Sequence, residues 1–113
     1  LYAASFLTAE ATVQAVLRNV PDVVSIVAMG AWEIRTDEDE LCAYYLLNRL
    51  EGRQPDKEAI KALVRTGNTY AWYLKEHHDG YPNDGEIALQ IDACDFAILV
   101  QRENGILVSR ARP

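Results

Sequence analysis

The chain is short of several things that common functional classes require. Two of its 113 residues are cysteine, Cys42 and Cys94, and they form no CxxC pair. A disulfide framework is therefore excluded. Both lie in apolar stretches and read as buried thiols of a reducing compartment, the cytoplasm. Basic residues are outnumbered, 11 Lys and Arg against 17 Asp and Glu, for a formal charge of −6. That balance excludes a general binder of nucleic-acid backbones. No apolar run approaches the roughly 18 residues of a membrane span, so no membrane partner is expected. No basic-then-apolar leader opens the chain. The phosphate-cradling GxxxxGK(S/T) loop and the dinucleotide GxGxxG fingerprint are both missing. Ser5 and Ser109 have no histidine near them in sequence, which leaves a serine triad without support. Repeats, heptads and low-complexity tracts are absent as well.

What is present suits one ordinary globular domain over residues 1–113, half apolar and a quarter charged. The sequence starts at Leu1 in a run, LYAASF, that reads as strand interior. It is expected to be the C-terminal part of a longer protein. Thr8 can cap a helix over about 9–19, with Val13, Val16, Leu17 and Val20 on one face. Pro21-Asp22 breaks it, and VVSIVAM (23–29) is so continuously apolar that it predicts a strand covered on both faces. Strand, helix and strand within thirty residues imply a right-handed crossover and a parallel pair.

Helices are predicted over 37–51, 56–65 (inner stripe Ala59, Ile60, Leu63, Val64), 69–78 and 84–93, the last with Ile87 and Ile91 inward. The turn cluster HDGYPNDG interrupts the last two. FAILVQ and ILVSR flank Glu103-Asn104-Gly105, the strongest local hairpin signal in the chain. The expected fold class is α/β: a layered, mainly parallel central sheet flanked by helices, with a C-terminal antiparallel hairpin.

The stretch with most chemistry is TDEDELCAYYLLNRLEG (36–52). Thr36 or Asp37 suits an N-cap, and Asp37, Glu38, Asp39 and Glu40 match the positive end of a helix dipole. Gly52 suits the stop. One reading makes the acids a solvated, dipole-matched helix start. The other makes them a cation site, because clustered carboxylates repel unless neutralised, and Mg²⁺ takes one or two carboxylates plus water and substrate phosphate. Arg35 either pairs with Glu38 or Asp39 or reaches an anionic substrate with its planar fork. His77 and His78 are adjacent, so both rings cannot share a helical face, and they read as a polar helix end. Tyr44, Tyr45, Tyr70, Trp72 and Tyr73 read as helix-to-sheet packing. Asp84 and Asp92 suggest only a cap and a turn.

SFLTAEATVQAVL, then VVSIVAMG, then RTDEDELCA at 35–43 resemble the second half of the 2-phosphosulfolactate phosphatase family. Ser5-Phe6, Gly30, Glu38, Asp39 and Cys42-Ala43 match that pattern in order. Near the end, Asn83-Asp84 and Ile91-Asp92 before an apolar strand and hairpin agree with it too. The chain departs from the family at Thr8 (commonly Asn), at Met29 (often small) and at Ile98-Leu99-Val100 (commonly Val-Pro). The family's N-terminal segments, resembling D-x-x-R-A-T-T and T-T-x-G-T, are not in this sequence. The resemblance implies a Mg²⁺-dependent hydrolase that converts 2-phosphosulfolactate to sulfolactate and phosphate, a step towards coenzyme M. It singles out Glu38 and Asp39 as metal ligands, with the second carboxylate orienting water and Arg35 neutralising the substrate's sulfonate or carboxylate. The substrate would be a small anionic phosphate ester, and the residues present would supply part of a site. A bare strand edge, with pairing between copies of the chain, is also expected. The alternative is a non-enzymatic α/β module that binds a small acidic ligand or a protein.

Overall fold

A computed structural model describes residues 1–76 and 83–113. The order of elements is β1 (Tyr2–Ala3), α1 (Ala9–Arg18), α2 (Asp37–Leu50), α3 (Lys57–Thr66), α4 (Asn68–Glu76), α5 (Asp84–Ala88), β2 (Ala97–Glu103) and β3 (Ile106–Arg112). His77, His78 and most of the turn cluster at 78–85 lie outside the described residues.

Several local signals hold where the chain needs only itself, although Thr8, expected to cap α1, makes no side-chain bond to it, and the helix expected over 84–93 stops at Ala88. Asp56 caps α3, its carboxylate accepting from the amides of Glu58 and Ala59 at 2.9 and 3.1 Å. Gly52, at φ +78°, ends α2. There the Gly52 amide donates to the Arg49 carbonyl and the Arg53 amide to that of Asn48, which is a Schellman motif. Asn104 and Gly105, both at positive φ, turn β2 into β3 with Glu103 opposite Ile106. The expected C-terminal hairpin is present.

The parallel central sheet is not. The sheet has three strands in the order β1-β2-β3, and both pairings are antiparallel. β1 is two residues long and pairs through Tyr2 with Leu99, not with 23–29. Residues 23–29 join no strand among the described residues. Val23, Val27 and Met29 are 80, 73 and 83 % exposed, whereas Ile26 and Ala28 are half-buried. That alternation is the period of a strand, but the strand has no neighbour. A groove of about 770 Å³ lies between residues 1–4 and 23–29, over α1 and α2. Apolar runs form a parallel pair only when a neighbouring strand comes within about 5 Å, and here the groove takes that place.

The core gathers Phe6, Ala9 and Val13 with Tyr45 and Leu46 of α2, Ile60 and Val64 of α3, and Leu89 and Ile91. Phe6 and Tyr45 meet edge to face with ring centroids 6.4 Å apart. The predicted inner faces shift by about a turn edge. α1 buries Ala9, Thr12, Val13 and Ala15 while Leu17 and Val20 are exposed, and Leu63 of α3 is 56 % exposed. Of the aromatic group only Tyr45 is fully inside; Tyr44 and Trp72 are more than half exposed, because no sheet lies beneath them. Ile87 is likewise 49 % exposed, whereas Ile91 is buried. No helix among the described residues is long and apolar enough to cross a membrane.

Candidate functional site

The acids at the start of α2 look equivalent in sequence, and the fold gives each a different surrounding. The approach to the helix is a tight turn. Ala31 and Ile34 exchange both backbone hydrogen bonds, at 2.9 and 2.8 Å. Trp32 and Glu33 at its tip both have positive φ, +50° and +66°. Such a turn favours Asn or Gly at both places, so Trp32 and Glu33 hold a strained backbone. Gly30 is required beside it: at φ +66°, a Cβ there would stand 2.3 Å from the Ile34 carbonyl oxygen.

Asp39 fixes this turn to the helix, its Oδ2 accepting from the Gly30 amide at 2.6 Å. Asp37 Oδ2 accepts from the Asn68 amide at 2.9 Å, tying α2 to the start of α4. Glu40 takes the guanidinium of Arg35 through two bonds of 2.8 and 2.7 Å. Arg35 thus pairs with neither Glu38 nor Asp39. The contact raises the pKa of Arg35 and lowers that of Glu40, in both cases chiefly through their shared hydrogen bonds. Glu38 differs from the other three. Its Oε2 is buried without a hydrogen-bond partner, and so is the hydroxyl of Thr36, which is 7 % exposed. Thr36 occupies the N-cap position with extended backbone, yet its side chain caps nothing.

The Thr36 hydroxyl neither donates nor accepts a hydrogen bond, and Glu38 Oε2 is a carboxylate oxygen without a donor, which a hard cation would satisfy. The fit is partial. Among the described residues no three His, Cys, Asp or Glu side chains converge on one point. The donors suit an open, water-completed Mg²⁺ site of one or two carboxylates rather than a closed cage.

A second polar cluster escaped the sequence reading. Asp92, at φ +63°, lies with its side chain 13 % exposed. Its Oδ1 accepts from the Glu10 amide at 2.8 Å, and its Oδ2 from the Tyr45 hydroxyl at 2.6 Å and the Lys57 ammonium at 2.7 Å. Burial pushes the Asp92 carboxyl up, but hydrogen bonds from Lys57, Tyr45 and the Glu10 amide outweigh it and hold the group below its ordinary range. Tyr45 is raised, first by burial and then by its bond to Asp92. Arg49 reaches Glu10 alongside them. Both carboxylate oxygens of Asp92 and of Glu10 are used and Tyr45 is 1 % exposed, so the cluster ties α1, α2 and α3 together rather than meeting a substrate. No signal in the sequence could place Asp92 there, since its partners lie up to 82 positions away.

Both cysteines are free thiols, and burial, aided by the Asp39 charge, pushes Cys42 up to about 12. It is therefore a poor nucleophile at neutral pH. Comparison of the chain with protein-family models, curated proteins and solved structures gave no match in any of the three. The likeness to the phosphosulfolactate phosphatases rests on the short motifs alone.

Proposed function

We propose that the Gly30–Glu40 junction is the acidic half of a Mg²⁺-dependent phosphate-monoester hydrolase site, with 2-phosphosulfolactate or a close anionic relative as substrate. The observation that carries this is the pair of buried, partnerless oxygens on Thr36 and Glu38, beside three acids that each have a partner. Glu38 would hold the cation, with the carboxylate oxygen of Asp39 that Gly30 leaves free. When bound, Mg²⁺ supplies neutralisation of phosphoryl charge. The chain's own contribution is positional. Asp39 locks the turn against α2, and Asp37 locks α2 against α4. Arg35 takes a sulfonate or carboxylate by exchanging it for Glu40. Both partners are solvent-exposed, so the exchange costs little. The free thiols suit a reducing cytoplasm.

The test is thermal unfolding of the chain during a Mg²⁺ or Mn²⁺ titration. At about ten times Kd, binding stabilises by about 1.4 kcal/mol, a rise of roughly 5 °C. Glu38→Gln should abolish that rise without lowering the metal-free midpoint. An unmoved midpoint in the wild type overturns the assignment. By itself the chain is expected to turn over no phosphate monoester.

A second reading, a binding module without catalysis, is favoured by the structural duties of Asp37, Asp39 and Glu40. It predicts no metal response at all.

A further inference from the structure

The least satisfied part of the molecule is not the acid cluster but residues 23–29. Among the described residues, no backbone N–H or C=O from 22 to 29 has a hydrogen-bond partner. Their row of exposed side chains, Val23, Ser25, Val27 and Met29, is apolar apart from one small hydroxyl. Beside them the groove has a floor of Val13, Val16, Cys42 and Leu46, and among the described residues Asp39 is the one charged side chain in its lining. Backbone groups in this state call for another strand, and an apolar floor calls for apolar side chains beneath that strand.

We infer that the occupant is residues 23–29 of a second copy of this chain, and that the exchange is reciprocal. Two observations favour a copy over another polypeptide. The segment presents both halves of the interaction, a strand with free edges and the wall of a groove that lacks a strand. It is also uncharged, on a chain of net charge −6, so two such molecules meet there with only Asp39 of the groove lining charged.

Packing then fixes the arrangement. Two helix layers cannot share one face, so the mate enters turned over, with its helices on the opposite side of the sheet. Its Val23, Val27 and Met29 point down onto Val13, Val16 and Leu46 of the first copy, and the same holds in return. The two-fold axis runs along the strands, which makes the two segments parallel neighbours in a closed, isologous dimer. VVSIVAM thereby becomes covered on both faces, the condition that its unbroken apolarity implies.

The experiment is molar mass in solution at micromolar concentration under reducing conditions, paired with hydrogen exchange of the 23–29 amides. The wild type should show twice the 12.7 kDa chain mass, with slow exchange over 23–29. Val27→Lys puts a charge on the groove floor of the mate but lies on the exposed row of its own chain. It should halve the mass, leave the helical circular dichroism unchanged and make those amides exchange fast. Val23→Lys, at an equally exposed position, repeats the test should Val27→Lys misfold. A monomeric wild type overturns the inference, including one whose groove takes up an added apolar peptide or small ligand. So does a dimer that both lysine variants leave intact.

Discussion

Residues 23–29 (VVSIVAM) and 96–101 (FAILVQ) are both largely apolar runs that the sequence offers as strands, and the fold treats them oppositely. Ala97–Glu103 pairs on both sides, with β1 and with β3. Val23 to Met29 pairs with nothing described. The difference lies in where each must find its partner. The second run has one three positions away, Ile106 opposite Glu103, across an Asn-Gly turn whose two positive φ values match the strand twist. The first has a strained turn after it and a helix before it, and neither brings a strand alongside. Apolar β-formers make a strand possible, but a partner at hand makes it a sheet.

Substitutions at three positions sharpen that contrast, from the largest effect to the smallest. Asp92 holds the chain leading into β2 against α1, α2 and α3. Asp92→Ala strands the Tyr45 hydroxyl and the Glu10 amide, and should cost about 3 kcal/mol in urea unfolding. The pH dependence has a definite sign. Because the folded carboxyl titrates below its unfolded value of 3.8, its contribution is full above that value and disappears as pH falls through the folded one. The gap between wild type and Asp92→Asn should therefore narrow only on strong acidification.

Gly30→Ala should come next, at about 2 kcal/mol, since it combines a positive φ with a Cβ driven against the Ile34 carbonyl. Gly105→Ala, at φ +83° with open space around it, pays only for the conformation, about 1 kcal/mol. Equal losses at the two glycines, read as shifts in midpoint, would mean that the turn at 31–34 yields as freely as the hairpin tip.

Much that depended on neighbours within a few residues was legible in the sequence, though Thr8 and Thr36, both expected to cap, make no side-chain cap bond. Asp56 announced α3, Gly52 closed α2, and Asn104-Gly105 set the hairpin register. The pairing of Tyr2 with Leu99 was not legible, because two residues of strand carry no pattern. The crossover inference failed at the same point: it assumed that LYAASF and VVSIVAM would be neighbours, and the first went to β2 instead. At the acid cluster, composition marked the stretch but could not rank its members. Asp37 and Asp39 acquired their duties from Asn68 and from the turn at Gly30. Arg35 chose Glu40, five positions on, over the three acids nearer to it in sequence.

The cap on α1 bears on how the molecule comes apart. Thr8, at the N-cap position, gives no side-chain bond to the helix, and the second amide of the helix is satisfied by Asp92, 82 positions further along the chain. Ten residues are too few for a helix to be stable alone in water, and α3, equally short, differs in having a local cap of its own in Asp56. Loosening the segment before β2 therefore frees the first turn of α1 as well, so the two open together as one unit.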